Sequence, residues 1–222
     1  MVLARILEAE VMESEAEATD YDSMDHSDVN RQFVDDLLSA GFNGGDALDL
    51  GSGTALIPIE LCKRVEECRV MAIDLSIAML EVARYNVEIA GFRDRIVLDH
   101  LDGKDLPFED DSFRMVLSNS IVHHIPDPRA VFREAMRIVE PDGLVFFRDV
   151  MRPCDQTQLE NLVSNYAGND SDSQQKMFRD SLHAALTVEE VRELTGEVGA
   201  APETVQATSD RHWTWVLRTD NS

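Results

Sequence analysis

The chain has 222 residues, of which 44% are hydrophobic, and this content predicts a globular protein rather than a disordered one. It has no long apolar run, no apolar leader and no Cys-x-x-Cys pair, so we expect a cytoplasmic protein without a membrane span, a disulfide framework or a metal site. The formal net charge of -23 repels phosphate backbones, so we expect no nucleic-acid partner; whether the acidity reflects a saline habitat or a cationic partner stays open.

Residues 1–45 are predicted to form a helical cap. An acidic stretch from Met1 to His26 comes first, and part of it is expected to be helical. From Ser27 onward, apolar residues such as Phe33 and Leu37 recur at about one-turn spacing. This spacing predicts a helix that begins at Ser27 and ends near Gly41.

The stretch Ala47–Leu61 is the centre of the predicted fold. Its apolar start predicts a buried strand, which breaks at Gly51 and Gly53 and is followed by apolar residues at helical spacing. Pro58 is tolerated because the first turn of a helix leaves its N–H groups unpaired. Asp49 and the two glycines therefore form a socket at the carboxyl end of a strand, the edge at which open α/β sheets bind ligands.

Further strands alternate with helical patterns and predict βαβ units in a mostly parallel sheet. The next strands are predicted at Arg69–Asp74, Arg95–Leu101, Arg114–Ser118 and Leu144–Asp149, the last preceded by a turn at Pro141–Gly143. Helices are predicted from Ser76 to Gly91, from Asp127 to Val139, at Gln156–Tyr166, at Ser173–Leu186 and from Thr187. Two closing strands, Thr204–Thr208 and His212–Leu217, alternate polar and apolar residues and predict an antiparallel pair at the sheet edge.

Two more carboxylates follow predicted strands, Asp74 after the second and Asp102 after the third. Asp74 is placed to accept hydrogen bonds from both hydroxyls of a ribose, or to cap the helix that follows. Asp102 is placed to accept a hydrogen bond from an adenine amino group, or to form an Asp-Gly turn with Gly103. Together with Asp49 they predict a line of acidic groups along the carboxyl edge of the sheet.

The segment from Asp49 to Thr54, Asp-Leu-Gly-Ser-Gly-Thr, distinguishes two classes of nucleotide-binding protein. A dinucleotide fingerprint requires a third glycine three residues after Gly53, where this chain has Leu56. The segment instead resembles the Asp-x-Gly-x-Gly motif of class I S-adenosylmethionine-dependent methyltransferases of the small-molecule type, although Ala55 stands where many members carry another glycine. The resemblance covers Ala47–Asp149.

This resemblance implies an α/β fold, a three-layer Rossmann-like sandwich around a mostly parallel seven-stranded sheet of order 3-2-1-4-5-7-6 with an antiparallel last strand. It implies a single methyltransferase domain over residues 1–222, in which residues 150–200 form a helical insertion or lid. It also implies S-adenosylmethionine as the cofactor, bound by Tyr21, Asp49, Gly51, Ser52, Gly53, Thr54, Asp74, Leu75, Met79, Asp102, Gly103, Ser118 and Asn119.

Three residues near the fourth and fifth strands are candidates for contact with the substrate: His123, His124 and Arg148. Histidine titrates near neutral pH and is suited to general-base catalysis, but the family often carries histidine here without that role, so packing is the alternative. Arg148 suits an acidic or planar acceptor, or a role in tying the C-terminal strand to the core. No residue is assigned as catalytic.

The resemblance implies transfer of a methyl group from S-adenosylmethionine to a small-molecule acceptor, with orientation supplying much of the catalysis. The alternatives are an NAD(P)-dependent oxidoreductase, which Leu56 disfavours, and a cofactor-binding partner subunit without activity. We expect a lid over the acceptor, built from residues Tyr21–Arg31 and Gln156–Leu186, because these sizeable segments lie outside the alternating pattern.

Overall fold

The apolar segment Ala47–Leu50 lies at the centre of the fold, as its hydrophobicity predicts. Its four residues are buried and belong to strand β1 (Gly45–Leu50), which has a parallel neighbour on each side. The computed structural model describes residues 3–8, 14–24 and 27–219. Positions 1–2, 9–13 and 25–26 of the acidic N-terminal stretch lie outside the described residues.

The described helices and strands follow the predicted alternation. The helices are α1 (Glu15–Asp22), α2 (Ser27–Ser39), α3 (Leu56–Arg64), α4 (Ile77–Ala90), α5 (Arg129–Ile138), α6 (Gln156–Ala167), α7 (Asp172–Ala184) and α8 (Val188–Gly196). The strands after β1 are β2 (Cys68–Asp74), β3 (Ile96–His100), β4 (Phe113–Asn119), β5 (Val139–Val150), β6 (Val205–Ala207) and β7 (His212–Arg218), and short 3₁₀ turns occur at Val122–His124 and Pro202–Thr204. Among the described residues, no helix has both the length and the apolar character needed to cross a membrane.

In the described part of the chain, the strands form a seven-stranded sheet of order β3-β2-β1-β4-β5-β7-β6. The pairs β1–β2, β1–β4 and β2–β3 are parallel, whereas β6 and β7 are antiparallel. The register sets Leu50 beside Ile73 and Ile73 beside Asp99, so the carboxyl ends of β1, β2 and β3 lie at one edge. The predicted α/β class, strand order and antiparallel closing pair are confirmed.

Helix ends are fixed by residues that the sequence pattern indicates. The Oγ of Ser76 accepts a hydrogen bond from the backbone N of Met79 (3.1 Å) at the start of α4. Gly91 ends that helix in the left-handed conformation, at φ 77°, which glycine adopts without steric cost. At the start of α8, Thr187 and Glu190 form the predicted reciprocal capping box.

Strand β5 is longer than the sequence predicts. The turn predicted at Pro141–Gly143 is wrong, because β5 includes these residues. Asp142 has a turn-like φ of 61°, but the Thr219 hydroxyl holds the segment by donating to the carbonyl of Glu140 (2.7 Å) and accepting from the backbone N of Gly143 (2.9 Å). Contacts with a residue near the end of the chain thus override the local turn preference.

The chain forms two compact units. The major unit comprises described residues 14–24, 27–119, 130–147 and 216–219, and the minor unit comprises 3–8, 120–129 and 148–215. The core of the major unit includes Phe33 and Phe146, which meet edge to face with ring centroids 5.1 Å apart. In the minor unit, α6 and α7 bury Leu159 and Leu182 together with Val150. The domain bounds predicted from the sequence stay predictions.

Candidate active site

The loop from Gly51 to Ala55 connects β1 to α3 in the major unit. Gly51 and Gly53 have φ values of 70° and 53°, in the left-handed region that glycine adopts readily. A Cβ added to Gly53 meets no heavy atom within 4 Å, so the backbone conformation rather than space requires glycine there. Ala55 has a φ of 62°, a conformation that costs an alanine about 1 kcal/mol, which gives a physical reason for the glycine of the related motif.

Asp49 and Asp74 bring two carboxyl groups to the carboxyl edge beside this loop. Asp49 is 2% exposed, and within the described residues no hydrogen bond reaches its carboxyl group. Burial, and after it the charge of Asp74, raise the pKa of Asp49 to about 8. Because burial and a like charge both disfavour ionisation, this acidic pair is a site that a cation would stabilise.

The carboxylate of Asp74 links the loop to the start of α4. One oxygen accepts from the backbone N of Gly53 and the other from the backbone N of Ser76, both at 2.8 Å. Burial raises the pKa of Asp74 in spite of these hydrogen bonds. Asp74 therefore accepts a hydrogen bond at the start of α4, as one of the two predicted roles requires, and it binds the glycine loop at the same time.

Two hydroxyl groups of this edge differ in their bonding. The Oγ of Ser118, near the end of β4, donates to the carbonyl of Leu50 (2.9 Å), and Asn119 follows it, half-buried. The Oγ of Ser52 is buried and has no hydrogen-bond partner among the described residues. Buried polar atoms are nearly always bonded, so Ser52 marks a place for a polar ligand group.

Helix α1 packs on α4 at the same edge. Ala18 and Tyr21 lie in one apolar cluster with Ala78 and Met79. Burial, and then the nearby charge of Asp74, raise the pKa of the Tyr21 hydroxyl. The structure thus places Tyr21 near Asp74 and in one cluster with Met79, and both residues were predicted from the sequence.

The segment after β3 forms the Asp-Gly turn that the sequence left as an alternative. Asp102 accepts from the backbone N of Lys104 (2.9 Å) and pairs with its Nζ (3.2 Å). A Cβ added to Gly103 lies 3.7 Å from Leu50, an ordinary contact, so the structure shows no steric need for glycine there. On the neighbouring strand end, the carbonyl of Leu75 lies 3.0 Å from Nε2 of His100.

In the minor unit, His123 lies in a buried ionic network. It is 4% exposed, and its Nδ1 lies 2.6 Å from Oδ1 of Asp149, whose Oδ2 accepts from the backbone N of His123 (3.0 Å). Burial disfavours the imidazolium, but Asp149 and Glu8 outweigh that cost and raise the pKa of His123 to about 9. A histidine held as a cation does not suit a general base at neutral pH, which favours the structural alternative.

The two other substrate candidates also have partners in the minor unit. His124 lies beside His123, with ring centroids 4.1 Å apart, and its Nδ1 is 3.4 Å from Oε1 of Glu8. Arg148 donates from Nε to Oγ1 of Thr214 (3.0 Å) on β7. The arginine therefore makes the contact with the C-terminal strand that was its alternative role.

Comparison with known proteins agrees with this geometry. Residues 48–147 match the model of a family described as "Methyltransferase domain". This match covers 100 of the 222 residues and agrees with the methyltransferase family predicted from the sequence.

Three relatives show the range of the similarity. The chain is 27% identical over 167 residues to 27-O-demethylrifamycin SV methyltransferase of Amycolatopsis mediterranei, covering 75% of this chain and 57% of that protein. It is 34% identical over 111 residues to demethylmenaquinone methyltransferase of Bacillus cereus, covering 50% and 46%. The chain thus spans about half the length of these curated relatives. A proposed S-adenosyl-L-methionine-dependent methyltransferase of Methanococcus maripaludis has the same fold, with a TM-score of 0.76, 20% identity and 98% of both chains covered.

Sequence reasoning missed Asn86, which lies within the residues that match the methyltransferase family. Its Nδ2 donates to Oδ1 of Asp22 (2.9 Å) and to the carbonyl of Thr54 (3.1 Å), so it ties α1 to the glycine loop. The available signal is its position on the face of α4 that Met79 and Ala83 bury, since a polar residue on a buried stripe needs a partner.

It also missed Glu8 in the minor unit. Its Oε1 lies 3.3 Å from Nε2 of His123 and accepts from the Oγ of Ser181 (3.2 Å). No spacing points to this contact, because Glu8 is far from both partners along the chain.

Proposed function

We propose that the protein transfers a methyl group from S-adenosylmethionine to a small-molecule acceptor. The observation that carries the proposal is the buried acidic pair Asp49–Asp74 beside a glycine loop with an unpartnered buried hydroxyl. The sulfonium and ammonium groups of S-adenosylmethionine are cations, and they relieve the repulsion between the two carboxyl groups. The phosphates of a nicotinamide dinucleotide would increase it, which argues against an oxidoreductase.

The residues at this edge fit the parts of that cofactor. We assign the methionine part to Asp49 and the loop Gly51–Thr54, because this loop offers a carboxyl and the free Ser52 hydroxyl. We assign the ribose to Asp74, and the adenine to an apolar side formed by Met79 and Tyr21. The remaining assignments, carried from the sequence pattern, are Leu75, Asp102, Gly103, Ser118 and Asn119.

The chemistry that the cofactor supplies when bound is a methyl group activated on a sulfonium sulfur. The chain's own contribution is binding and orientation, which alone lower a barrier substantially when reacting atoms are held in line. The glycine loop and Asp74 fix the position, and α1 covers the apolar side through Tyr21 and Ala18. No side chain is assigned the acceptor's proton, since His123 is itself held as a cation.

Two observations support a small-molecule acceptor: the net charge of the chain and the activities for which its relatives are named. The net charge of -23 opposes binding of a nucleic-acid backbone. The relatives named above are methyltransferases of demethylrifamycin SV and of demethylmenaquinone. We infer an uncharged or cationic organic acceptor of this small-molecule kind.

Thermal unfolding with added ligands tests the proposal. S-adenosylhomocysteine at a hundredfold excess over its Kd should raise the Tm by roughly 5–10 °C, because a ligand bound only by the folded state stabilises it. NADH should leave the Tm unchanged. The opposite pattern would establish the oxidoreductase alternative.

A transfer assay separates an enzyme from a non-catalytic partner subunit. Isotopically labelled S-adenosylmethionine is incubated with the protein and a metabolite extract, and products are analysed by mass spectrometry. We expect labelled methyl on one class of small molecule. Binding of S-adenosylhomocysteine with no labelled product in any extract would contradict the enzymatic part of the proposal.

A further inference from the structure

The structure brings one carboxylate and two imidazoles together at the surface of the minor unit. The Oε1 of Glu8 lies 3.3 Å from Nε2 of His123 and 3.4 Å from Nδ1 of His124. All three potential ligand atoms lie within 4.8 Å of one another. We propose that Glu8, His123 and His124 bind a divalent transition-metal ion of the Zn²⁺ kind.

The two separations from the Glu8 carboxylate match tetrahedral coordination. Zinc binds histidine nitrogen and carboxylate oxygen at about 2.0–2.1 Å, so two ligand atoms of a tetrahedral site lie about 3.3 Å apart. The two distances from Glu8 have this value. A set of two nitrogens and one oxygen is typical of borderline ions such as Zn²⁺ and Co²⁺, and it leaves at least one position for water.

A second carboxylate orients one of the imidazoles. Asp149 is fully buried and lies 2.6 Å from Nδ1 of His123. Binding of a metal ion would displace the proton from Nε2 of His123, and Asp149 would then keep the remaining proton on Nδ1 and orient the ring with Nε2 toward Glu8. Asp149 is itself held by the backbone N of His123 (3.0 Å) and of Val150 (2.6 Å). This order of carboxylate, histidine and open ligand position is the usual arrangement behind a metal-bound histidine.

The N-terminal segment delivers Glu8 to this position. The guanidinium of Arg5 donates to the carbonyls of Ala184 (2.7 Å), Ile125 (3.0 Å) and Pro126 (3.1 Å). The backbone N of Ile6 donates to the carbonyl of His183 (3.0 Å). These bonds fix residues 3–8 to the minor unit, so the carboxylate is placed before any ion arrives.

The site is open on one side. The side chains of Glu8 and His124 are 17% and 18% exposed, whereas that of His123 is 4% exposed. An ion can therefore enter from solvent, and water can complete its coordination. Protons are the competing occupants, because two protonated imidazoles around one carboxylate fit the same distances.

Calorimetric titration of the full chain with Zn²⁺ alone, after removal of metals by a chelator, tests the proposal. We expect saturable binding of one ion, and Co²⁺ should give the visible absorption of a tetrahedral site. Glu8→Gln and His124→Asn should each weaken binding at least tenfold. The controls Cys154→Ser and His100→Asn, which remove an exposed thiol and an exposed imidazole, should bind as the wild type does.

Two results would overturn the proposal. One is the absence of saturable Zn²⁺ binding to the wild type, which would leave protons as the only occupants. The other is unchanged binding in Glu8→Gln and His124→Asn. If either variant fails to fold, NMR of the wild type decides: Zn²⁺ should shift the imidazole signals of His123 and His124, and unshifted signals count against the site.

Discussion

Burial disfavours the charged form of both Asp49 and Asp149, but the surroundings of the two carboxyl groups have opposite effects on their pKa values. Asp49 in the major unit has a pKa raised to about 8, and within the described residues no hydrogen bond reaches it. Asp149 in the minor unit is equally buried, yet the cation of His123 and two backbone N–H groups hold its pKa below the usual range. Among the described residues, no cation or hydrogen-bond donor offsets the burial of the Asp49 carboxyl group, whereas His123 and two backbone N–H groups offset the burial of the Asp149 carboxylate. We conclude that the Asp49 edge is built for a ligand and that Asp149 serves stability.

Removing Asp149 should have the largest effect. Asp149→Ala leaves a buried imidazolium without its counterion and two backbone N–H groups without an acceptor. The free energy of unfolding should fall by about 3–5 kcal/mol, as for other broken buried ion pairs. Urea unfolding near neutral pH with a chelator present measures it. Asp210→Ala, at an exposed carboxylate of the same unit, should cost less than about 1 kcal/mol, and equal losses would contradict the distinction.

A smaller effect is expected at the glycine loop. Gly53→Ala forces a side chain into the left-handed region, which costs about 1–2 kcal/mol of unfolding free energy, and it should weaken binding of S-adenosylhomocysteine at least tenfold. Gly196→Ala is the matched control, because an added Cβ also meets nothing within 4 Å there but the residue ends a helix. If the two variants behave alike, the loop conformation is not what the site requires.

The pH dependence of the unfolding free energy should reveal the raised pKa of Asp49. Its carboxyl loses a proton near pH 4 in the unfolded chain (about 3.9), whereas the folded protein keeps it until about pH 8. The folded state binds more protons in this window, so the free energy of unfolding falls as the pH rises through it.

Asp49→Asn keeps the shape of the side chain without its charge. The unfolding free energy of this variant should therefore fall less than that of the wild type as the pH rises from about 4 to about 8. The difference between the two falls should exceed about 1 kcal/mol, the equivalent of one pKa unit. Urea unfolding at the two ends measures the difference. Parallel profiles for the two proteins would show that Asp49 is not held protonated.

The same comparison explains what the sequence could predict. The strand order, the glycine loop and the acidic strand ends follow from local patterns, because Asp49, Gly53 and Asp74 lie at fixed steps along βαβ units. The network of Glu8, His123 and Asp149 could not be predicted, since its members come from distant segments with no shared periodicity. The failed turn at Pro141–Gly143 has the same cause, because Thr219 acts on it from the end of the chain.

The central claim is that the acidic edge of the major unit binds the cofactor, and calorimetry of Asp74→Ala tests it most directly. The variant should bind S-adenosylhomocysteine roughly 10–150-fold more weakly than wild type, which corresponds to the loss of a hydrogen bond to a charged group. Asp94→Ala, which removes an exposed carboxylate elsewhere in the major unit, should bind as wild type does. Circular dichroism should show both variants folded. Unchanged affinity in Asp74→Ala would show that this residue only anchors the start of α4, and would contradict the account.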